Sequence, residues 1–586
     1  MDTFMKASDY IVQFLVEKNI DKVFGYIGGA VAHFYDSLDK NGQIEIVNTI
    51  HEQGAGFAAE GYARMTGKTG VATATSGPGA TNLITPIGSC FFDSVPTLFI
   101  TGQVNTYEYK YDQPVRQIGF QETDIVSIIK PITKYAVMVD DIANLRYELE
   151  KGYFLSQEGR KGPVLIDIPM NIQRSEFDLD QQTSFYESAE YQTYLEKSDI
   201  KNNIRTAVEI INASKRPIVL VGGGARLSDA DDELNRLLNT NNFPVVYSLL
   251  GKDLIKDDYT YNLGLIGAYG NRYGNMALAN ADLILVLGSR LDTRQTGTDL
   301  KTFAREAKII QVDIDKNELG SKIKADLLIH SDIKSFVESL RQHIFTNDIT
   351  YWQEKVLSYK EKYSSIVGID QKEKIPNKII HKIAHHLNPH DSICVDVGQH
   401  QMWVAQSLET KGEQRVLFSG GMGAMGCALP TAIGATLGTG QRSIVIVGDG
   451  GFQMNIQELE IIKRRHLPIK IFIMNNTNLG MVRQFQELYF DKNYVGTKKD
   501  YSVPDFEKIG NAYGIASSTA RTNEEIYQKI EEMLADDEPA ILDIRLAEPM
   551  TTVEPKLIVN KPIEDMYPFL ERDEFTEQMI IKPLDS

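Results

Sequence analysis

Residues 443–476 read SIVIVGDGGFQMNIQELEIIKRRHLPIKIFIMNN. The first five residues are mostly β-branched, and the glycines and aspartate after them are typical of a buried strand that ends at a turn. A helix is predicted by the apolar spacing of NIQELEIIKRRH, and a second strand by LPIKIFIMNN. The stretch is therefore one β-α-β unit, which is the building block of parallel sheets covered by helices.

Similar alternation extends along the chain in three series. The N-terminal series contains KVFGYIG, GVATATSG, VPTLFITG and PVLIDIP, the central series RPIVLVGGG, FPVVYSLLG, ADLILVLGSRLD and AKIIQVDID, and the C-terminal series also SICVDVG and PAILDIRL. We therefore predict the α/β class, with three tandem doubly wound parallel-sheet domains. The predicted ranges are 1–175 for the N-terminal domain, 190–345 for the central domain, 360–550 for the C-terminal domain and 551–586 for a tail, with a linker over residues 173–202.

Composition limits the classes of function. The chain of 586 residues is too long for one hydrophobic core, and 42% hydrophobic against 24% charged residues is ordinary for a globular protein. A net charge of −18 argues against broad surfaces for nucleic acid or anionic membranes. No apolar run approaches the roughly 20 residues of a membrane span, and the acidic N-terminus does not resemble a signal peptide. We expect a cytoplasmic protein with reduced Cys90, Cys394 and Cys427.

The glycines around Asp449 predict a phosphate site. Gly448, Gly450 and Gly451 lie at a strand-to-helix turn, where backbone N–H groups and a helix N-terminus can bind phosphate. An aspartate there would repel the phosphate unless a cation lay between them, and Mg²⁺ binds well to a carboxylate together with phosphates. Asn476, at the end of the next strand, can supply a neutral oxygen to the same ion.

A dinucleotide-binding turn is the nearest alternative to this magnesium site. A G-x-G-x-x-G fingerprint that begins at Gly448 has Gln453 where the third glycine belongs, and one that begins at Gly222 has Leu227 there. Both fingerprints fail. The magnesium-bridged diphosphate is therefore the preferred interpretation of the turn.

Several motifs together resemble thiamine-diphosphate-dependent enzymes, in particular acetolactate synthase catalytic subunits. They are the stretch quoted above and HEQGAGFAAEGYAR, SGPGATN, GQHQMW, SGGMGAMG and NLGMVRQFQ, and the resemblance extends from about residue 5 to residue 545. It implies the fold of these enzymes, with thiamine diphosphate and Mg²⁺ as cofactors. It also implies that Asp449, Asn476 and the backbone oxygen of Asn478 hold the magnesium, and that Met425 bends the two rings of the cofactor. The other implied cofactor-binding residues are Gly398, Gln399, His400, Gly423, Gly448, Gly450, Gly451, Gly480, Met481 and Val482.

The same resemblance implies a catalytic role for Glu52. By itself, a glutamate at the start of a helix is usually a solvated first-turn residue. The matching family glutamate bonds a ring nitrogen of the aminopyrimidine, which favours the imino tautomer that deprotonates the thiazolium carbon. Gln121 and Phe120 match residues of the substrate pocket.

The resemblance favours a carboligase that decarboxylates pyruvate and transfers the two-carbon unit to a second carbonyl compound. In this family the active site lies between two subunits, which implies a homodimer or a homotetramer. Alternatives within the enzyme class are a carboligase for a keto-sugar or another bulky acceptor, a 2-keto-acid decarboxylase and a hydrolase of cyclic diones. A non-catalytic scaffold is the alternative outside it, although Glu52 and Asp449 are both present.

Departures from the family pattern concern the acceptor and a possible flavin. Phe485 stands where the family has tryptophan, Met170 stands where it has lysine, and residues 116–126 lack part of the usual loop beside the active site. The tail is longer than usual, and it could cover the active-site entrance or pack against a neighbouring subunit. In the central domain GSRLDTRQTG and QVDID resemble segments that hold FAD, but Ala268 and Tyr269 replace methionine and histidine, so bound FAD stays open.

Overall fold

The computed structural model describes residues 4–195, 200–364, 375–546, 562–566 and 569–584. Three six-stranded parallel sheets, each flanked by helices, follow one another along the chain. The predicted fold class is confirmed. Residues 551–561 of the predicted tail lie outside the described part of the chain.

The N-terminal domain contains a parallel sheet with the strand order β3-β2-β4-β5-β7-β6, and a short antiparallel pair of β1 with β8. Its strands are β1 (Phe4–Lys6), β2 (Lys22–Tyr26), β3 (Glu45–Asn48), β4 (Gly70–Ala74), β5 (Thr97–Gln103), β6 (Tyr135–Met138), β7 (Pro163–Pro169) and β8 (Glu176–Asp178). Its helices are α1 (Ala7–Glu17), α2 (Ala32–Asn41), α3 (Glu52–Thr66), α4 (Pro78–Asn82), α5 (Ile84–Asp93), α6 (Ile125–Ile129), α7 (Leu145–Gln157), α8 (Met170–Gln173) and α9 (Ala189–Thr193).

The start of the predicted linker belongs to this domain instead. Phe177 in β8 and Phe185 are buried, and Phe185 contacts the rings of Tyr147 and Phe154. The linker prediction is therefore wrong over residues 176–195. The polar composition of the segment predicted a linker, but the free energy gained by burying the two phenylalanines is enough to hold the segment on the domain.

The central domain has the strand order β11-β10-β9-β12-β13-β14. Its strands are β9 (Pro217–Val221), β10 (Val245–Tyr247), β11 (Asn262–Leu265), β12 (Leu283–Leu287), β13 (Lys308–Asp313) and β14 (Leu327–His330). Its helices are α10 (Lys201–Ala213), α11 (Gly223–Leu227), α12 (Asp231–Asn241), α13 (Arg272–Asn280), α14 (Thr293–Thr296), α15 (Ile333–Leu340) and α16 (Thr350–Lys362).

The C-terminal domain has the strand order β16-β15-β17-β18-β20-β19. Its strands are β15 (Ser392–Val395), β16 (Arg415–Phe418), β17 (Ser443–Gly448), β18 (Ile469–Asn475), β19 (Ala516–Ala520) and β20 (Ala540–Arg545). Its helices are α17 (Ile375–His385), α18 (Gln399–Ser407), α19 (Ala428–Thr439), α20 (Asp449–Met454), α21 (Leu459–Arg464), α22 (Gly480–Tyr489), α23 (Phe506–Ala512) and α24 (Asn523–Leu534), and the tail adds α25 (Arg572–Gln578).

The described part of the tail packs on the central domain of its own chain. The Asn275 side chain donates to the Ile563 carbonyl at 3.0 Å, and the Asn280 side chain accepts from the Ile580 N–H at 2.6 Å. Arg305 forms an ion pair of 2.6 Å with the buried Glu564. These contacts favour neither of the two placements that were expected for the tail.

Helix α3 packs closely on α19, which joins the N-terminal and C-terminal domains. Glycine permits this approach, because a Cβ atom at Gly61 or at Gly434 would collide with the backbone carbonyl of Thr431 or of Ala58. The first residue of α3 is Glu52, so this packing sets the position of that carboxyl group. Within the described ranges, the helices are all too short or too polar to cross a bilayer.

Candidate active site

Asp449 and Asn476 lie at the ends of two adjacent strands. Asp449 is the first residue of α20, directly after β17, and Asn476 directly follows β18. The two strands pair in parallel, with Gly448 opposite Met474, so their carboxyl ends meet at one edge of the sheet. Both side chains are buried, with 2% exposure for Asp449 and 8% for Asn476.

The Asp449 carboxylate has an open coordination position. Its Oδ1 atom accepts the Gly450 N–H at 3.0 Å, whereas its buried Oδ2 atom has no hydrogen-bond partner among the described residues. Burial raises the pKa of Asp449 to about 7. A buried carboxylate with an unused oxygen is costly unless a cation compensates it, so the donor set fits a hard divalent ion.

Asn476 and Asn478 form a tight turn beside this carboxylate. The Asn476 Nδ2 atom donates to Gln399 Oε1 at 3.1 Å, and its Oδ1 atom accepts the Asn478 N–H at 3.2 Å. Thr477 between them has a φ of 56°, a left-handed conformation that reverses the chain. The turn lies at the end of the strand that neighbours the one before Asp449.

Glycines keep the floor of the site open. A Cβ atom at Gly398 would lie 2.6 Å from the His400 ring, and one at Gly448 would lie 3.0 Å from it. At Gly480 it would collide with the Gln399 amide. Burial lowers the pKa of His400 to about 3, so its ring is neutral, and its Nε2 atom has no hydrogen-bond partner within the described ranges.

Met425 and the first turn of α22 lie at the edge of the candidate site around Asp449. The Met425 methyl group lies 3.4 Å from the place of a Cβ atom at Gly450, and Gly423 has a φ of 65°, which favours glycine. Met481 is partly buried, whereas Val482 is 52% exposed. A Cβ atom at Gly451 would lie 2.5 Å from the Asp396 carboxylate, so this glycine permits close packing under the turn.

Glu52 is held by a residue that sequence reasoning did not single out. Its Oε2 atom accepts from the Asn82 side chain at 2.9 Å, and the residue is 9% exposed. A Cβ atom at Gly79 would lie 3.2 Å from Glu52 Oε1, so that glycine leaves room for the carboxyl group. Asn82 is the last residue of the motif SGPGATN, and this motif was the feature of the sequence that could have indicated its contact with Glu52.

Glu458 of the C-terminal domain supports the start of α3. It is fully buried, and its Oε2 atom accepts the Ile50 N–H at 3.2 Å. Its carboxylate also occupies the space that a side chain at Gly54 would need. Burial raises the pKa of Glu458 to about 7. The sequence offered no signal for this contact, because the partners are 408 residues apart.

The expected substrate-pocket residues lie on an ordered loop. Phe120 is 87% exposed, and Gln121 has a φ of 66° beside Gly77. The buried Glu122 organises this loop, since its carboxylate accepts the N–H groups of Lys110 at 2.8 Å and of Ile118 at 2.6 Å. This role of Glu122 was missed by sequence reasoning.

The residues that depart from the family pattern lie at accessible positions. Phe485 in α22 is 50% exposed and contacts Tyr489, with ring centroids 4.6 Å apart. Met170 is the first residue of α8 and is partly buried. Neither side chain is sealed in a core, so both can face a ligand.

A separate cavity of about 490 Å³ lies at the carboxyl ends of the central strands. Its lining includes Gly223, Gly224, Ser248, Ser289, Arg290 and Asp313, which follow or end β9, β10, β12 and β13. Tyr269, one of the departures from the family pattern, also lines it, and the Arg294 guanidinium lies 5.7 Å from its ring centroid. Ligands of doubly wound sheets bind at such strand ends.

Comparison with protein families agrees with this arrangement. The chain matches the N-terminal TPP binding domain of thiamine pyrophosphate enzymes over residues 5–128, their central domain over residues 204–340 and their C-terminal TPP binding domain over residues 396–544. The chain belongs to the thiamine pyrophosphate enzyme family. The resemblance predicted from the motifs is confirmed, and so is thiamine diphosphate, the same compound, as the cofactor of the family.

Curated relatives indicate which group of thiamine pyrophosphate enzymes the chain is similar to. The chain is 36% identical over 554 residues to the probable acetolactate synthase large subunit of Methanocaldococcus jannaschii, which covers 92% of each chain. It is 34% identical over 546 residues to the acetolactate synthase isozyme 2 large subunit of Escherichia coli K12, covering 93% of this chain and 96% of the relative. The protein is therefore an acetolactate synthase-like, thiamine-pyrophosphate-dependent enzyme.

Proposed function

We propose that the protein is a carboligase that decarboxylates pyruvate and transfers the resulting two-carbon unit to a second carbonyl compound. The observation that carries the proposal is the strand-end anchor, in which the open carboxylate oxygen of Asp449 lies beside the Asn476 turn. The relatives named acetolactate synthase support pyruvate as the donor substrate.

The anchor residues fit a magnesium-bound diphosphate. In the proposal, Asp449, Asn476 and the backbone oxygen of Asn478 hold Mg²⁺, while the glycine turn and α20 present N–H groups to the diphosphate. Neutral His400 is proposed as a polar contact, the Gln399 side chain holds Asn476 in place, and Met425 supports the rings of the cofactor. Thiamine diphosphate supplies an electron sink for decarboxylation.

Glu52 is the proposed proton partner of the aminopyrimidine. Its Oε2 atom is held by Asn82, and its Oε1 atom lies against Gly79, whose missing side chain leaves room for the carboxyl group. A carboxyl group held in this way can keep one orientation towards a ring nitrogen, which general acid-base catalysis requires. Gln121 and Phe120 are the proposed substrate contacts on the loop organised by Glu122.

A homodimer or a homotetramer is part of the proposal, with active sites between subunits. Large apolar side chains are exposed on both domains that carry the site, including Ile50 at 37%, Phe92 at 37%, Met422 at 41% and Met454 at 52%. Contact with a second subunit at these positions would remove apolar groups from water. A cytoplasmic location, without nucleic-acid or membrane partners, stays a prediction.

Products from labelled pyruvate test the reaction. The purified protein, with thiamine diphosphate and Mg²⁺, should release carbon dioxide and form acetolactate when pyruvate is the only carbonyl compound, as detected by mass spectrometry. A condensed product formed only with an added sugar or bulky ketone would assign a different acceptor. Free acetaldehyde as the sole product would identify a decarboxylase, and failure to release carbon dioxide would overturn the proposal.

We also propose that the central cavity binds FAD. Its size lies within the range of ligand pockets, and Arg290 and Arg294 supply cationic groups for a diphosphate. The purified protein should show a flavin absorption spectrum, and Arg290→Ala should retain less flavin. Arg236→Ala, on α12 and outside the cavity lining, is the control that should retain it fully. A colourless protein that takes up no added FAD would contradict the proposal.

A further inference from the structure

Two histidines and a glutamate meet on the surface of the C-terminal domain. His381 and His385 lie one helical turn apart on α17, and Glu409 lies in the segment after α18. The Nε2 atoms of the two imidazoles are 3.0 Å apart, and Glu409 Oε1 is 3.7 Å from His381 Nδ1. One ligand atom from each of the three residues lies within 4.8 Å of the other two.

This arrangement has the properties of a transition-metal site. Histidines at positions i and i+4 of a helix point the same way and can bind one ion together. Nitrogen ligands lie about 2.0–2.1 Å from zinc, so two nitrogens 3.0 Å apart can both reach a single ion. Imidazole and carboxylate ligands together suit zinc and its neighbours among the divalent metals.

We propose that His381, His385 and Glu409 bind a divalent transition-metal ion of the zinc class, with water at the remaining position. Lys382, the residue after His381, forms an ion pair with Glu531.

The position of the site points to a stabilising role. Glu409 directly precedes Thr410, whose N–H and hydroxyl donate to Asp257 of the central domain at 2.6 and 2.9 Å. A bound ion would therefore connect α17 to a segment that is attached to the central domain. The candidate diphosphate site lies at the other end of α18, about 13 Å away along a nine-residue helix.

Metal binding to the full-length protein, already loaded with thiamine diphosphate and Mg²⁺, tests the proposal. Equilibrium dialysis should find one tightly bound Zn²⁺ per chain, and Co²⁺ at the site should give the visible spectrum of nitrogen and oxygen coordination. Zn²⁺ should also raise the melting temperature, because it binds only the folded state. His385→Ala and Glu409→Gln should each weaken Zn²⁺ binding by more than about tenfold. This is the smallest loss expected when a group that only hydrogen-bonds to a metal ligand is removed.

His386→Ala is the matched control. His386 follows α17, and its Nε2 atom lies 3.7 Å from Glu531 Oε1. It therefore forms a histidine-carboxylate pair like that of His381 and Glu409, but without a second histidine in the pair. The control should bind Zn²⁺ as the unsubstituted protein does. The proposal is overturned if the unsubstituted protein binds no Zn²⁺, or if the three variants bind it equally well.

Discussion

Glu52→Gln should lower the turnover rate about 100-fold to 10,000-fold, which is the range that one general acid-base group contributes. Glutamine has nearly the same shape and can still accept the hydrogen bond from Asn82, so the local structure should persist. It cannot exchange a proton with a ring nitrogen. Steady-state kinetics with pyruvate should show the loss in kcat, while titration calorimetry should show nearly unchanged binding of thiamine diphosphate and Mg²⁺.

Glu524→Gln is the control for this substitution. Glu524 also lies in the first turn of a helix, α24, but it is exposed to solvent. It should leave turnover unchanged, since a solvated first-turn carboxylate contributes only to helix stability. Near-normal activity of the Glu52 variant would show that its carboxyl group, too, is a first-turn residue and not a proton partner.

Asp449→Ala should abolish the magnesium-dependent binding of thiamine diphosphate. We expect the affinity for thiamine diphosphate in the presence of Mg²⁺ to fall by at least about 100-fold. Even the loss of a group that only hydrogen-bonds to a metal ligand lowers metal affinity about 10-fold to 100-fold. The measurement is calorimetric titration of the cofactor with and without Mg²⁺. Asp573→Ala removes an exposed first-turn aspartate from α25 and should bind the cofactor normally. Unchanged metal dependence in Asp449→Ala would contradict the anchor.

The same site should give the cofactor affinity a defined pH dependence. Burial raises the pKa of Asp449 to about 7 in the metal-free protein, so below that pH the carboxyl group carries a proton. The metal must displace this proton, so the apparent magnesium affinity should fall about tenfold for each pH unit below 7 and level off above it. An affinity that is constant from pH 5 to pH 8 would exclude Asp449 as a ligand.

Mixing the two inactive variants distinguishes sites between subunits from sites within one chain. If each site combines Glu52 of one subunit with Asp449 of another, a dimer of the two variants contains one intact site. Random exchange should then restore about one quarter of the unsubstituted activity, since half of the dimers are mixed and each has half of its sites. No recovery after confirmed subunit exchange would place the complete site within one chain.

The family and the anchor could be predicted from the sequence because their signals are local. Four β-branched residues, a glycine turn and Asp449 define one strand end, and Asn476 follows the next strand after the two short helices α20 and α21. Neighbouring parallel strands bring their carboxyl ends together whatever the rest of the chain does. The spacing of the residues therefore determined that these two side chains meet.

Contacts between distant segments could not be predicted in the same way. The bond from Ile50 to Glu458, the loop around Glu122 and the docking of the tail on Asn280 depend on how finished helices and sheets pack. Local patterns specify which residues are apolar and where chains turn, but not which distant polar group will satisfy a buried one.

By itself, the sequence determined the α/β class, the family and the placement of Asp449 and Asn476 at neighbouring strand ends, since strand periodicity and turn chemistry act over a few residues. Only the tertiary structure decided how Glu52 is held, because Asn82 reaches its carboxyl group from α4 and Glu458 of the C-terminal domain accepts the Ile50 N–H just before α3. The same holds for the meeting of His381, His385 and Glu409, since Glu409 lies in a segment that folding alone brings to α17.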